Sequence, residues 1–126
     1  MNILLAEDDR MLRSIMVDLL EDLDYTVHAV TNGAEAVDAA QATDYDAIFM
    51  DCEMPILDGL AATRVLLEEA SRAGSEKVPI IAITGHIDPA DHARFFDAGM
   101  VAVLTKPVNF RQLEDVLTRF AAGAAI

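Results

Sequence analysis

Five short apolar runs, each stopping at a polar residue or a turn and each followed by a stretch with helical spacing, constrain this chain more than any other feature of its 126 residues. The runs are Asn2 to Ala6, Tyr25 to Val30, Ala47 to Met50, Val78 to Ile83 and Val101 to Leu104. Most are unbroken by charge, as strands covered on both faces are. After the first, Met11, Leu12, Ile15, Met16, Leu19, Leu20 and Leu23 recur at helical spacing, with Arg10, Arg13, Asp18, Glu21 and Asp22 opposite. Asn32-Gly33-Ala34-Glu35 predicts an N-cap with a reciprocal Glu and a helix to about Ala42. Asp58 caps a third helix to about Arg72, which Gly74 and Ser75 end, and Asp88-Pro89 with Asp91 opens a fourth that Gly99 closes. Asn109 caps the last, with Phe110, Leu113, Val116, Leu117 and Phe120 on its apolar side. The alternation specifies an α/β chain: a doubly wound, five-stranded parallel sheet with right-handed crossovers, expected in the order 2-1-3-4-5.

In that order the first and third strands are neighbours whose connections leave in opposite directions. A crevice therefore opens at their carboxyl ends. The residues that follow the strands at this edge are Glu7 and Asp8, Asp51, Thr84 and Lys106. Pro55 biases Met54 away from helical angles, so Asp51 opens onto a loop that runs to Asp58. Three converging carboxylates raise one another's pKa unless a cation intervenes, and Mg²⁺, with a few carboxylates, waters and a phosphoryl group, is the matching ion. A carboxylate is also a nucleophile toward phosphorus. Lys106 as a point charge and Thr84 as a hydroxyl donor are suited to stabilise the oxygens of a group transferred to Asp51.

Composition excludes several other classes. Nine basic against 22 acidic residues give a net charge of -13, which disfavours direct contact with nucleic acid or an anionic membrane. No apolar run reaches the ~20 residues of a membrane helix, and the N-terminus lacks the basic region of a signal peptide, so a cytoplasmic location is expected. The single cysteine, Cys52, rules out an internal disulfide and has no basic neighbour in sequence to activate it. His28, His86 and His92 lack a pairing that would make a metal site, although His86 follows Thr84 at the crevice rim.

As a set, Glu7-Asp8, Asp51-Cys52-Glu53-Met54-Pro55 with Asp58-Gly59, Thr84 and Lys106-Pro107 resemble the receiver domain of two-component response regulators. This CheY-like family has a flavodoxin-like (βα)5 fold, and the stretch Met54 to Arg64 looks most like receivers of hybrid histidine kinases. The resemblance covers the whole length and implies a single receiver domain over residues 1–126, a phosphoacceptor signalling domain rather than an enzyme. It implies Asp51 as phosphoacceptor, Asp8 as a direct Mg²⁺ ligand, Glu7 as a water-mediated one and the main-chain carbonyl of Glu53 as a third protein ligand. Asp9 is left to cap or flank the first helix. The implied partners are a histidine kinase or histidine phosphotransfer protein and a downstream protein target, with the domain a monomer or weak dimer.

Alternatives are a phosphorylation-independent docking receiver, a small phosphatase with an aspartyl nucleophile and a flavodoxin-like nucleotide binder. The first would be expected to lose an acid or the lysine. The second would carry its nucleophile in an Asp-x-Asp-x-Thr motif after the first strand, whereas Asp51 follows the third and the second acid is Glu53, and the third alternative would carry a Gly/Ser/Thr-rich phosphate loop after the first strand. The partner is expected to dock on the first helix near Arg10, Met11 and Arg13. The family's switch aromatic falls on Val103, too small and stiff to swing, so the response to phosphorylation is expected in the Thr84 to Pro89 loop and the start of the fourth helix.

Overall fold

The computed structural model describes residues 2–54, 57–74, 78–85 and 88–120. The chain runs β1 (Asn2–Ala6), α1 (Arg10–Asp22), β2 (Thr26–Val30), α2 (Gly33–Ala42), β3 (Ala47–Asp51), α3 (Gly59–Ala73), β4 (Ile80–Thr84), α4 (Pro89–Asp97), β5 (Ala102–Thr105) and α5 (Phe110–Phe120). The strands form one parallel sheet in the order β2-β1-β3-β4-β5, as expected.

Because side chains alternate across a strand, the sheet has two apolar faces. Ile3, Leu5, Ala47, Phe49, Ile81, Ile83 and Leu104 pack with Met16 and Leu20 of α1 and Leu113, Val116 and Leu117 of α5. Leu4, Ala6, Ile48, Met50, Ile80 and Ala82 pack with Ala36 and Val37 of α2, Ala62 and Leu66 of α3, and Phe95 of α4. The three central strands, β1, β3 and β4, are thus covered on both sides, which is what their unbroken apolarity required.

Asp9, Asn32, Asp58 and Asp88 each cap a helix through a side-chain oxygen that accepts from the first turn. Gly74 ends α3 in the left-handed region at φ 69°, where a Cβ would be strained. Asn109 and Gln112 exchange reciprocal backbone-to-side-chain bonds at the start of α5, a capping box absent from the sequence reading. Glu35 reaches one residue further back than expected, accepting from the amide and hydroxyl of Thr31.

Tyr25, Val78 and Val101, expected to open strands, precede β2, β4 and β5. A larger difference is in α1, where Met11 and Ile15 are 74% and 46% exposed although both fall on the predicted apolar stripe. The helix instead rests on Met16 and Leu20, flanked by Leu12, Val17 and Leu19. Arg13, placed on the polar face by spacing, is half-buried. Phe110 is likewise exposed. Pro55, Ser75, Lys77 and the His86–Ile87 part of the expected response loop lie outside the described residues.

Candidate functional site

The strand ends bring the expected residues together. Pairing of Ala6 with Met50 sets Glu7 and Asp8 beside Asp51, while pairing of Asp51 with Ile83 and of Thr84 with Thr105 delivers Thr84 and Lys106 to the same edge. Glu7, Asp51 and Thr84 are fully buried and Asp8 is exposed. Lys106 Nζ lies 3.2 Å from Asp51 Oδ2 and 3.4 Å from Glu7 Oε1, its own side chain 29% exposed. Asp51 Oδ1 accepts the amide of Glu53 at 3.0 Å, and Glu7 Oε2 accepts the amide of Asp9 at 3.1 Å.

Spacing did not reveal the role of the Glu53 side chain. Its Oε1 accepts the Thr84 hydroxyl at 3.0 Å, across two strand ends 31 residues apart. Two glycines let the backbone close around the site. A Cβ on Gly59 would stand 2.2 Å from the Asp51 carbonyl oxygen, and one on Gly33 would stand 2.1 Å from that of Leu57, which the Gly33 amide itself bonds at 3.0 Å.

The electrostatics are those of too many acids for one lysine. Burial, then the contact with Asp51, pushes Glu7 up to about 8, against the opposing pull of the Asp9 amide and Lys106. Burial also works to raise Asp51, but hydrogen bonds from Glu7 and the Glu53 amide and the charge of Lys106 outweigh it and hold Asp51 below its ordinary value. The surroundings therefore favour the proton on Glu7 and the charge on Asp51. Lys106 is pushed up: its burial is outweighed by the two carboxylates. Cys52, next in the chain, is driven to about 12 by burial and by the surrounding acids, so it is not a nucleophile here.

The donor set fits a hard cation. Glu7, Asp8 and Asp51 each offer a carboxylate oxygen within 4.8 Å of the others, and Glu7 Oε1 is buried with no hydrogen bond, reached only by the Lys106 ammonium at 3.4 Å. An oxygen left in that state is costly unless an ion or a proton engages it. A surface hollow of about 730 Å³ beside Val103, Gln112, Val116 and Phe120 contains none of these residues.

A parallel α/β sheet of this order, with two acids, a third acid, a hydroxyl and a lysine at its strand ends, is the arrangement of a receiver-type signalling domain. The chain belongs to the response regulator receiver domain family, whose model matches residues 3–118. It is similar to the receiver domain of sensor histidine kinase PA1611 from Pseudomonas aeruginosa PAO1, a structure with a magnesium ion coordinated in the active site cleft. Identity there is 37% and the TM-score 0.82, over 94% of this chain and 95% of that one. A co-crystal structure of the Saccharomyces cerevisiae histidine phosphotransfer signaling protein Ypd1 with the receiver domain of its downstream response regulator Ssk1 matches at a TM-score of 0.94 and 26% identity, covering 100% of this chain and 92% of that one. Probable histidine kinase 2 of Oryza sativa is 37% identical over 98% of this chain, and sensor histidine kinase GacS of Pseudomonas protegens 33% identical over 95%. The chain spans 13% of the length of either of these kinases. The family places it in two-component phosphorelay signalling. No described helix is long and apolar enough to cross a membrane.

Proposed function

We propose that Asp51 accepts a phosphoryl group from phosphohistidine in a Mg²⁺-dependent reaction, and that residues 1–126 act as one receiver domain whose surface then changes toward a downstream protein target. The observation that carries this reading is Lys106 Nζ at 3.2 Å from Asp51 Oδ2, on the edge where Glu7 and Asp8 present their carboxylates. In the transfer an Asp51 oxygen forms the O–P bond while the P–N bond to the donor imidazole breaks. The electron pair stays on the ring nitrogen, and the proton on the second nitrogen lets the ring leave neutral. Charge accumulates on the phosphoryl oxygens in a loose transition state. Lys106 already points at the acceptor and has only to share its ammonium with an incoming oxygen. Thr84 must exchange the Glu53 carboxylate for a phosphoryl oxygen, so its reorientation couples phosphorylation to the β4–α4 connection.

Glu7, Asp8, Asp51 and the main-chain carbonyl of Glu53 would hold the metal. Bound there, Mg²⁺ supplies positive charge to the phosphoryl oxygens and relieves the repulsion among the acids. The magnesium ion in the PA1611 receiver and the pairing of Ypd1 with Ssk1 support the ion and the kind of donor, a histidine phosphotransfer protein or histidine kinase.

With Mg²⁺ and a phosphorylated histidine phosphotransfer protein, the wild-type chain should take one label that hydroxylamine removes. Asp51→Ala should take none while keeping the wild-type fold by circular dichroism. Label that persists on the variant and resists acid and hydroxylamine would refute the assignment.

A further inference from the structure

The acidic segment between β1 and α1 is gripped from its backbone side by a residue of the first helical turn. Arg13 turns its guanidinium back toward the strand end, where Nη1 donates to the Glu7 carbonyl at 2.9 Å and to the Asp8 carbonyl at 3.3 Å. One terminal nitrogen of a guanidinium carries two N–H groups in a fixed plane, so it can serve two successive carbonyls. These two carbonyls belong to the peptide planes on either side of the Asp8 Cα. Holding both planes fixes φ and ψ of Asp8, the two soft backbone angles that aim its side chain.

Asp8 needs such an external constraint. Its carboxyl is exposed, whereas that of Glu7 is buried and tied to the Asp9 amide. Of the other bonds of this segment, those from the Glu7 amide to Val30 and from the Leu12 amide to the Asp9 side chain act on its two ends, and that from the Asp9 amide to Glu7 Oε2 holds only the plane after Asp8, so that Arg13 adds the hold on the plane before it and fixes the two together. Resting on the reading of Glu7, Asp8 and Asp51 as a Mg²⁺ site, we infer that Arg13 is a positioning residue for the metal: it presets the direction of the Asp8 carboxylate through the backbone, with no contact to the ion. The same orientation takes Arg13 out of the docking surface on which its spacing had placed it.

The test is a Mg²⁺ titration followed by calorimetry and by the amide shifts of Glu7 to Asp9, because the chain has no tryptophan to report binding. Arg13→Met keeps the aliphatic stem and removes the donors. It should raise the Mg²⁺ Kd about tenfold, the lower end of what loss of such an outer contact costs. The Mg²⁺ concentration for half-maximal phosphorylation by acetyl phosphate should rise by the same factor, with the rate at saturating Mg²⁺ retained. Arg13→Lys should recover part of the affinity. Wild-type affinity in a folded Arg13→Met protein, or a lower rate at every Mg²⁺ concentration with affinity unchanged, would overturn the inference. Arg13→Gln carries the same comparison if the Met variant does not fold. A wild-type chain with no saturable Mg²⁺ binding would instead bring down the metal reading itself, and the inference with it.

Discussion

Asp51 and Cys52 are adjacent in the chain and chemically opposed. The lysine, the Glu53 amide and the neighbouring Glu7 keep Asp51 ionised in a buried position, while the same acids and the same burial keep the Cys52 thiol protonated. At pH 8 a thiol with a pKa of about 12 is ionised roughly a thousandfold less than an ordinary one, so the native protein should react with iodoacetamide about a thousand times more slowly than the urea-unfolded chain. Equal rates in the two states would contradict this picture of the loop. Gly59 shows a different kind of necessity: it needs no positive φ, but a side chain there would collide with the Asp51 carbonyl, a backbone atom that cannot yield without displacing the acceptor.

At the scale of elements, the proposed phosphotransfer makes the exposed end of α1 the expected docking surface for a phosphohistidine protein. Arg10, Met11 and Ile15 face solvent beside the crevice, and apolar side chains so exposed next to a reaction centre are suited to anchor a partner helix. Arg10→Glu with Met11→Ala and Ile15→Ala should lower kcat/KM with a phosphotransfer protein tenfold or more, taking interface anchors at roughly 1–2 kcal/mol each. The rate with acetyl phosphate should hold, and equal slowing with both donors would move the effect from docking to the site. This face also shows where sequence reading stops. Buried parallel strands are legible because both faces are apolar, and with them came the strand order and the positions of Glu7, Asp8, Asp51, Thr84 and Lys106. Seven apolar residues on one helix are more than the sheet can cover, and spacing alone does not tell which of them, Met11 and Ile15, are left outside. Arg13 and Glu53 were beyond reach for a related reason. A long polar side chain leaves its Cα in a direction that its partners determine, and those partners are two backbone carbonyls in one case and a hydroxyl 31 residues away in the other.

The whole molecule carries a conflict between stability and chemistry that pH exposes. Glu7 has a folded-state pKa of about 8 against an ordinary value of 4.5, so between these values the native chain binds more protons than the unfolded one and stability falls as pH rises. Asp51, held low, contributes stability that is lost only as pH falls below its ordinary value of 3.8, and Lys106, held high, only as pH rises past 10.5; neither window overlaps. Without metal, the melting temperature should therefore decline from about pH 5 to pH 8, and saturating Mg²⁺ should flatten that slope by displacing the proton from Glu7. A metal-free profile that rises across this range would show that Glu7 is ionised throughout. The register of the sheet has a last consequence. Each strand that supplies a reacting group reaches the crevice only in one alignment, and a slip of a single residue would send alternate side chains to the opposite face. An unfolded or misaligned chain contains the same acids, hydroxyl and lysine, yet beyond the adjacent Glu7 and Asp8 nothing holds them within reach of one another. If Asp51 is the acceptor as proposed, phosphorylation would select finished molecules, and nascent or misassembled copies would stay silent in the signal.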